Sequence, residues 1–412
     1  MESVKKVLKL TAGLIPSGVE NERYVRLTFQ YHRENMPCGD ADLVIYRREE
    51  PGYIFDCDEE EYFDGLLPDE TDVIYHGPIE VQSTFCEYVD TTAEAGKVYA
   101  YWVGKECVGK AVAGPVAIKV RDGRVWWHYD EVLERTEQIA NDFGGVELKT
   151  VGETVLRKPL VSLRVGNPDN LIALVGGVHA GESGPEILVP SVRKIIAEHP
   201  DLLAGTGIVL LPSVNADMRE IMADGAPWYI RKNAGGVDLN RNFDADWDYV
   251  DHSYGLSSID PKSFTYRGPC PNSEPEVKAL IALMEEVKPK AVFSYHALCS
   301  VTADNGVSSG AAKNDADYLA KLRELTVIYS DAFRGEIGAP ARENYDTPMI
   351  CTSGSLITWL YKRGIPAFDM EMSKDIDSLT PTMRDKSTKE MIDLATEGHT
   401  KAIIEILKYF AK

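Results

Sequence analysis

Residues 1–122 contain short segments in which apolar and polar side chains alternate. Clusters of Gly, Pro and Asp separate these segments, and such alternation is typical of β-strands with one buried face. Several short strands at this spacing predict an all-β sandwich rather than a parallel sheet. The predicted strands are residues 23–32, 42–47, 83–90, 97–103 and 116–120.

The pattern changes over residues 123–412, where helical and strand patterns alternate. Residues 129–140 have apolar side chains at helical spacing, and a second helix is expected to begin near Pro185. Continuous apolar runs are typical of strands buried on both faces. Strands that alternate with helices predict an α/β layer structure. The predicted buried strands are residues 171–175, 207–211, 291–295 and 367–370, and residues 389–410 form a predicted final helix.

Length, charge and cysteines narrow the class of protein. A chain of 412 residues is long enough for two domains. Its net charge of −21 disfavours nucleic acid and anionic membrane surfaces as partners. No segment has the length and apolarity of a membrane span. The 7 cysteines form no CxxC pair, which is typical of free thiols in a reducing compartment. We therefore expect a cytoplasmic protein, or one whose signal peptide was removed.

Candidate metal ligands follow the ends of two predicted strands. His179 and Glu182 come directly after residues 171–175, in a glycine-rich turn, and His296 comes directly after residues 291–295. In α/β sheets the carboxyl ends of the strands form the ligand-binding edge, so these side chains are expected to converge. Catalytic zinc usually takes three such N/O ligands and leaves a fourth position to water. Because a His-x-x-Glu pair is common by chance, this prediction needs independent support.

That support comes from Asp238-Leu239-Asn240-Arg241, between the two candidate ligand segments. With it, residues 125–412 resemble the carboxypeptidase A/B-type zinc metallocarboxypeptidases, whose pattern is His-x-x-Glu, Asp-x-Asn-Arg, a strand-end His and a late Glu. The resemblance implies a three-layer α/β/α catalytic domain with a mixed central sheet. It also implies one zinc per chain and hydrolysis of the C-terminal amide bond of peptides with a free carboxylate. Further matching segments are residues 215–217, 228–233, 273–276 and 353–361.

The resemblance implies a role for each matching residue. His179, Glu182 and His296 would bind the zinc. Asp238 would accept the second ring N–H of the first histidine and so fix its tautomer. Glu371, directly after a predicted strand, would be the general base that activates a zinc-bound water.

The remaining matched residues imply how the substrate is held. Arg231 would face the developing oxyanion. Asn240 and Arg241 would clamp the terminal carboxylate of the substrate, since the guanidinium group suits bidentate carboxylate recognition. Asp369, two residues before the base, is interpreted as a member of a structural ion pair.

Three positions bear on the substrate. The family usually has a tyrosine where this chain has Ile350, and its best-known members have an arginine where this chain has Gly181. Tyr345 is close to the first of these positions, and whether it replaces the missing tyrosine stays open. Ile357 occupies the position that often sets side-chain preference, and it favours an apolar or neutral terminal residue.

Alternative functions follow from these departures. A zinc amidase that acts on cell-wall stem peptides, or a deacylase of N-acyl amino acids, would use similar metal chemistry and a similar carboxylate clamp. A non-catalytic protein that binds peptides would keep the fold but lose a metal ligand or the base. All of those residues are present, which disfavours the non-catalytic protein, and the matches at residues 228–233 and 273–276 disfavour the deacylase. The sequence therefore favours the carboxypeptidase.

The β region, residues 1–122, resembles a fibronectin type III domain. The similarity lies in residues 88–90, Gly96 and residues 99–103, with Tyr99 as the corner tyrosine whose hydroxyl bonds back to the backbone. We expect this region to be a spacer, a docking module for a partner, or a structural lid on the catalytic domain.

Overall fold

The computed structural model shows two compact units. One comprises Met1–Trp126 with Ile221–Tyr229, and the other comprises Trp127–Glu220 with Ile230–Lys412. The structure describes residues 10–19, 22–30, 43–50, 65–78, 81–82, 85–105, 110–182, 184–226, 230–248, 257–296, 304, 306–342, 344–350, 353–371 and 389–412. The predicted strand positions 31–32, 42 and 83–84, and positions 228–229 of a matched segment, lie outside these residues.

Two antiparallel four-stranded sheets form the first unit, which confirms its prediction as all-β. The strands are β1 (Leu10–Pro16), β2 (Arg23–Gln30), β3 (Leu43–Glu49), β4 (Val73–Gly77), β5 (Val81–Gln82), β6 (Phe85–Asp90), β7 (Val98–Lys105) and β8 (Lys110–Lys119). The strand order is β1-β2-β6-β5 in one sheet and β4-β3-β7-β8 in the other.

Alternation along β2 explains the core of this unit. Val25, Leu27 and Phe29 are buried and share one core cluster, as the period of two predicts. The hydroxyl of Tyr99 accepts a hydrogen bond from the backbone N–H of Glu94 at 3.2 Å. This bond is the one expected of a corner tyrosine, while the fibronectin type III assignment stays a prediction.

Hydrogen bonds from the backbone and from one side chain hold the second segment of the first unit, residues 221–226, against the first segment. The N–H of Lys119 donates to the carbonyl of Gly225 at 2.8 Å. The side chain of Arg121, which is 2% exposed, donates to the carbonyls of Met222 and Ala226 at 3.1 and 2.9 Å. Residues 221–226 thus complete the β unit, although they lie far from it in the sequence.

The second unit contains an eight-stranded mixed sheet with helices, as predicted for an α/β fold. Its strands are β9 (Val146–Glu153), β10 (Pro159–Gly166), β11 (Leu171–Gly176), β12 (Gly207–Leu211), β13 (Val292–Tyr295), β14 (Gly306–Ser309), β15 (Met349–Ile350) and β16 (Ala367–Met370). The strand order in this sheet is β15-β14-β16-β13-β11-β12-β10-β9. Three neighbouring pairs at its centre are parallel, namely β16 with β13, β13 with β11, and β11 with β12.

Helices follow several of these strands. They are α1 (Tyr129–Asp142), α2 (Gly184–Glu198), α3 (Ala216–Ala223), α4 (Pro275–Val287), α5 (Ala316–Glu336), α6 (Leu356–Tyr361) and α7 (Lys389–Phe410). α4 begins at Pro275, where the missing N–H of proline leaves no helical hydrogen bond unmade. Every residue of β11 is buried, which explains why its sequence is a continuous apolar run.

The three central parallel strands end at the same level. Gly176 at the end of β11 pairs with Tyr295 at the end of β13. Tyr295 in turn pairs with Met370 at the end of β16. The residues that follow these three strand ends therefore meet at one edge of the sheet, as expected for a ligand-binding edge of an α/β fold. No helix among the described residues is long and apolar enough to cross a membrane.

Candidate metal centre and active site

The turn after β11 is compact because two glycines allow close backbone contacts. Gly177 has a φ of 56°, and a Cβ atom there would lie 2.9 Å from the Oγ of Ser213. A Cβ atom on Gly184 would lie 2.9 Å from the Cα of Gly176. The carbonyl of Gly177 accepts a hydrogen bond from the N–H of Asn215 at 2.8 Å. Larger residues would push the turn away from the sheet edge.

The three predicted metal ligands converge at this edge. The Nδ1 atom of His179 lies 2.8 Å from Oε1 of Glu182 and 3.2 Å from Nδ1 of His296. The second carboxylate oxygen of Glu182 lies 3.1 Å from Nδ1 of His296. One ligand atom from each residue lies within 4.8 Å of the other two, and all three residues are buried.

Two imidazole nitrogens and a carboxylate are a donor set that catalytic zinc prefers. Both Nδ1 atoms face the same point, and their close approach favours a cation between them. Although burial raises the pKa of Glu182, the adjacent His179 and His296 hold it well below its ordinary range. Burial lowers the pKa of His296, but Glu182 and Asp369 raise it well above its ordinary value. The donor set and the 3.2 Å separation of the two Nδ1 atoms fit a zinc ion.

Asp238 holds the first histidine from the other side. Its Oδ1 lies 3.1 Å from Nε2 of His179 and accepts the backbone N–H of Asn240 at 3.0 Å. Its Oδ2 accepts a hydrogen bond from Nε of Arg231 at 2.6 Å. Despite complete burial, the nearby Arg231 and Arg241 keep the pKa of Asp238 far below its usual range. A permanent carboxylate here favours the tautomer of His179 that leaves Nδ1 free of its proton.

Arg231 is fixed beside the metal ligands through this carboxylate. Its side chain is 13% exposed, and its guanidinium carbon lies 5.5 Å from the ring centre of Phe264. The bond from Nε engages one edge of the guanidinium group. The geometry places a fixed positive charge next to the predicted zinc ligands.

Asn240 and Arg241 lie in the short 3₁₀ turn Leu239–Arg241 and are both buried. The side-chain oxygen of Asn240 accepts the backbone N–H of Leu356 at 2.9 Å. Nη1 of Arg241 donates to the carbonyl of Asn240 at 2.7 Å. Burial lowers the pKa of Arg241, and Asp238 opposes that shift.

The matched Ser-Gly segment packs against this turn. Gly354 has a φ of 68°, and a Cβ atom there would lie 2.1 Å from the carbonyl oxygen of Arg241. Its carbonyl accepts the N–H of Phe243 at 2.9 Å. The glycine is required because the two chain segments approach too closely for any side chain.

Glu371 lies directly after β16, at the level of the metal ligands. Burial raises the pKa of its carboxyl group to about 7, with Glu182 and Asp369 adding to the shift and His296 and Arg231 opposing it. A group with a pKa near neutrality can both accept and release a proton under physiological conditions.

Sequence reasoning did not foresee the role of Arg219. This residue is 1% exposed, and its Nη1 donates to the carbonyls of Ala180 and Glu182 at 3.2 and 2.8 Å. Its Nη2 donates to the buried carboxylate of Glu186. Arg219 therefore holds the backbone of the metal-binding turn. The matched residues 215–217, two positions earlier, were the available signal.

The turn before Asp238 is fixed by two other matched segments. Asn233 is buried, and its Nδ2 donates to Glu274 and Glu276 at 2.7 and 3.1 Å. Its Oδ1 accepts the N–H of Val237 at 3.0 Å. Residues 228–233 and 273–276 match the family pattern in separate parts of the sequence, and these contacts show why they belong together.

The positions that depart from the family pattern have ordinary structural roles. Ile350 belongs to β15 and pairs with Ser309. The hydroxyl of Tyr345 donates a hydrogen bond to Asp331 on α5, so in this structure Tyr345 is bound to that helix. Ile357 is fully buried in α6.

The family is decided by comparison with known proteins. A family model described as zinc carboxypeptidase matches residues 133–393. The chain belongs to the zinc carboxypeptidase family. Carboxypeptidase A6 of Homo sapiens is 30% identical over 308 residues, which cover 68% of this chain and 66% of that protein. Carboxypeptidase O of Bos taurus is 25% identical over 264 residues, which cover 59% of this chain and 67% of that protein.

Solved structures show the same fold. Bovine thrombin-activatable fibrinolysis inhibitor, in complex with tick carboxypeptidase inhibitor, matches with a TM-score of 0.56 and 22% identity over 70% of this chain and 98% of that one. Carboxypeptidase A from Helicoverpa armigera matches with a TM-score of 0.55 and 15% identity. The match covers 90% of this chain and 98% of that one. These findings confirm the predicted fold class, the peptide-hydrolase class and the zinc dependence of this carboxypeptidase.

Proposed function

We propose that this carboxypeptidase hydrolyses the amide bond before the C-terminal residue of a peptide. Its catalytic centre would consist of His179, Glu182, His296 and Glu371. The observation that carries the proposal is the common level at which β11, β13 and β16 end. This common level brings one ligand atom from each of His179, Glu182 and His296 within 4.8 Å of the other two. The carboxyl group of Glu371 follows β16 at the same edge of the sheet.

His179, Glu182 and His296 would hold the zinc, and Asp238 would keep the first ring in position. When bound there, zinc supplies Lewis acidity, which polarises the scissile carbonyl and lowers the pKa of the attacking water towards about 7. The burial of all three ligands supports this assignment, because water would otherwise compete for the same positions.

Glu371 would accept the proton of the attacking water and then pass it to the leaving amine. Its position beside the metal ligands and its pKa of about 7 support both steps. Arg231 would stabilise the oxyanion that forms on the scissile carbonyl. Its bond to Asp238 fixes the guanidinium group in advance, so little reorganisation accompanies the reaction.

Asn240 and Arg241 would clamp the terminal carboxylate of the substrate. Both side chains are buried and are held by neighbouring backbone groups, so the clamp is rigid. A guanidinium group can donate two parallel hydrogen bonds to a carboxylate, which gives such a pair both strength and a defined geometry. The proposed substrates are therefore peptides with a free C-terminus, and the buried Ile357 favours an apolar or neutral terminal residue.

Peptides that differ only in the last residue test this proposal. Zinc-loaded protein is incubated with a mixture of N-terminally blocked peptides, and the masses are followed with time. Stepwise loss of single C-terminal residues is expected, together with no loss from the same peptides when their C-termini are amidated. A Glu371→Gln sample is the control for contaminating activity. Absence of cleavage by protein that holds one zinc per chain would contradict a general peptide substrate, and cell-wall stem peptides and N-acyl amino acids would then be tested.

A further inference from the structure

Asp369 lies on the face of the sheet that carries the active site. In β16 the preceding residue, Phe368, stacks on Phe293 with ring centres 5.3 Å apart, and Phe293 stacks on Tyr329 of α5. Asp369 pairs in register with Ser294 and contacts Asn240 instead. The alternation of side chains along a strand therefore directs Asp369 away from α5 and towards the proposed clamp.

The two oxygens of Asp369 face two different parts of the site. Oδ2 accepts a hydrogen bond from Nδ2 of Asn240 at 3.0 Å. Oδ1 lies 3.4 Å from Nε2 of His296 and accepts no hydrogen bond from any described residue. Asp369 is 1% exposed, and no lysine or arginine of the described ranges pairs with it. The ion-pair contact of Asp369 among the described residues is thus with His296, a site residue, and its second oxygen contacts Asn240.

A buried carboxylate oxygen without a hydrogen bond is costly. The available donor is the Nε2–H of His296, which the ring must carry when Nδ1 is a metal ligand. The Oγ of Ser294 also lies 2.9 Å from this nitrogen, so the N–H can be shared between the hydroxyl and the carboxylate. On the other ligand, Asp238 holds Nε2 of His179 in the same way. Carboxylates that bind the second nitrogen of a ligand histidine fix the ring and make it a stronger ligand.

We propose that Asp369 is a positioning residue that joins the two halves of the site. One oxygen orients His296 for the metal, and the other orients the amide of Asn240 for the carboxylate of the substrate. The inference rests on the proposed roles of these two residues. As a consequence, both metal binding and substrate binding would depend on Asp369. Neither the metal nor the substrate would contact Asp369 directly.

Zinc affinity and substrate affinity test this inference separately. In Asp369→Asn, zinc affinity is expected to fall about 10- to 100-fold, measured on metal-free protein by competition with a chromogenic chelator. At saturating zinc, KM for a peptide with a free C-terminus is expected to rise roughly tenfold, with a smaller change in kcat. Asn240→Ala should raise KM and leave zinc affinity unchanged, because it alters only one of the two contacts.

Asp304→Asn is the matched control. Asp304 is also a buried carboxylate, but it accepts hydrogen bonds from Ser330, at 2.6 Å, and from Arg334, both on α5. Its replacement should lower thermal stability without changing zinc affinity or KM. Asp369→Thr provides a second, smaller neutral variant if Asp369→Asn does not fold.

Wild-type zinc affinity and KM in a folded Asp369 variant would overturn the inference. A loss of stability alone, equal to that of Asp304→Asn, would overturn it too. The chelator competition needs no substrate. If the wild-type protein hydrolyses no peptide, the proposed function fails, while the zinc measurement still decides whether Asp369 supports His296.

Discussion

At the scale of single residues, the carboxyl group of Glu371 has the most direct chemical role in the proposed mechanism. Replacing it in Glu371→Gln keeps its size and removes its ability to take a proton. We expect kcat to fall by roughly 10²–10⁴-fold, with zinc content and thermal stability close to those of the wild type. Steady-state kinetics with a blocked peptide measure kcat. Metal analysis and thermal unfolding of the same sample measure its zinc content and its stability. A variant that retains most of the wild-type rate would exclude Glu371 as the base.

Glu220 makes the stability of the second unit depend on pH. Burial disfavours its carboxylate, but hydrogen bonds with His128 and Lys158 lower its pKa to about 2. Nδ1 of His128 lies 2.8 Å from Oε2, and Nζ of Lys158 donates to Oε1 at 3.2 Å. A carboxyl group with a lowered folded-state pKa stabilises the protein above its unfolded pKa of about 4.3, and it loses this effect as the pH falls towards the folded value.

The corresponding variant is Glu220→Gln. At pH 7 we expect the free energy of unfolding to be lower than in the wild type by roughly 2 kcal/mol. The difference should shrink as the pH falls from about 5 to the pKa of about 2. Denaturant unfolding over a pH series provides the measurement, with the exposed Glu137→Gln as control. Equal differences for both variants at every pH would contradict the assignment.

At the scale of elements, the turn after β11 depends on the absence of side chains. Gly177→Ala would add a Cβ atom 2.9 Å from the Oγ of Ser213 at a φ of 56°. We expect a loss of roughly 1–3 kcal/mol in stability, and weaker zinc binding because His179 and Glu182 would be displaced. Gly145→Ala is the matched control, since Gly145 has a φ of 77° with nothing within 4 Å of the added Cβ.

Thermal unfolding and zinc titration of the two glycine variants distinguish backbone strain at a positive φ from displacement of the ligands His179 and Glu182. Both should lose stability because both have positive φ. Only Gly177→Ala should lose zinc affinity. Equal zinc affinity in the two variants would show that the turn tolerates a Cβ atom.

The accuracy of the sequence predictions also differs between elements. β12 and β16 were predicted with the observed bounds, because a strand buried on both faces leaves a continuous apolar run. The helix α5 and the hairpin of β9 and β10 were missed. α5 carries its buried residues on a wide face with many polar residues between them, and β9 is an edge strand in which no residue is fully buried.

The same limit applies to the site. His179, Glu182 and His296 could be predicted because their positions at strand ends are visible in the sequence, and the resemblance supplied the rest. The buried Arg219, and the contact of Asp369 with Asn240, join residues that are far apart in the chain. No local pattern specifies such contacts, since they depend on how the strands are ordered in the sheet.

At the scale of the whole molecule, a bound cation links two separate parts of the second unit. The residues His179 and Glu182 follow β11, while His296 follows β13. We expect a chelator to lower the unfolding temperature and added zinc to restore it, because a ligand at a thousand times its Kd stabilises the folded state by about 4 kcal/mol. Differential scanning calorimetry with and without zinc measures the shift. His179→Ala should show almost none, and a full shift in that variant would place the metal elsewhere.

The first unit consists of two stretches of chain, Met1–Trp126 and Ile221–Tyr229. A ribosome delivers the first stretch long before the second. Until the later stretch leaves the exit tunnel, the side chain of Arg121 and the backbone N–H of Lys119 lack their partners at Met222, Gly225 and Ala226. The nascent β-sheets must therefore wait through the synthesis of about a hundred further residues, several seconds at the usual rate of translation, before they can be completed.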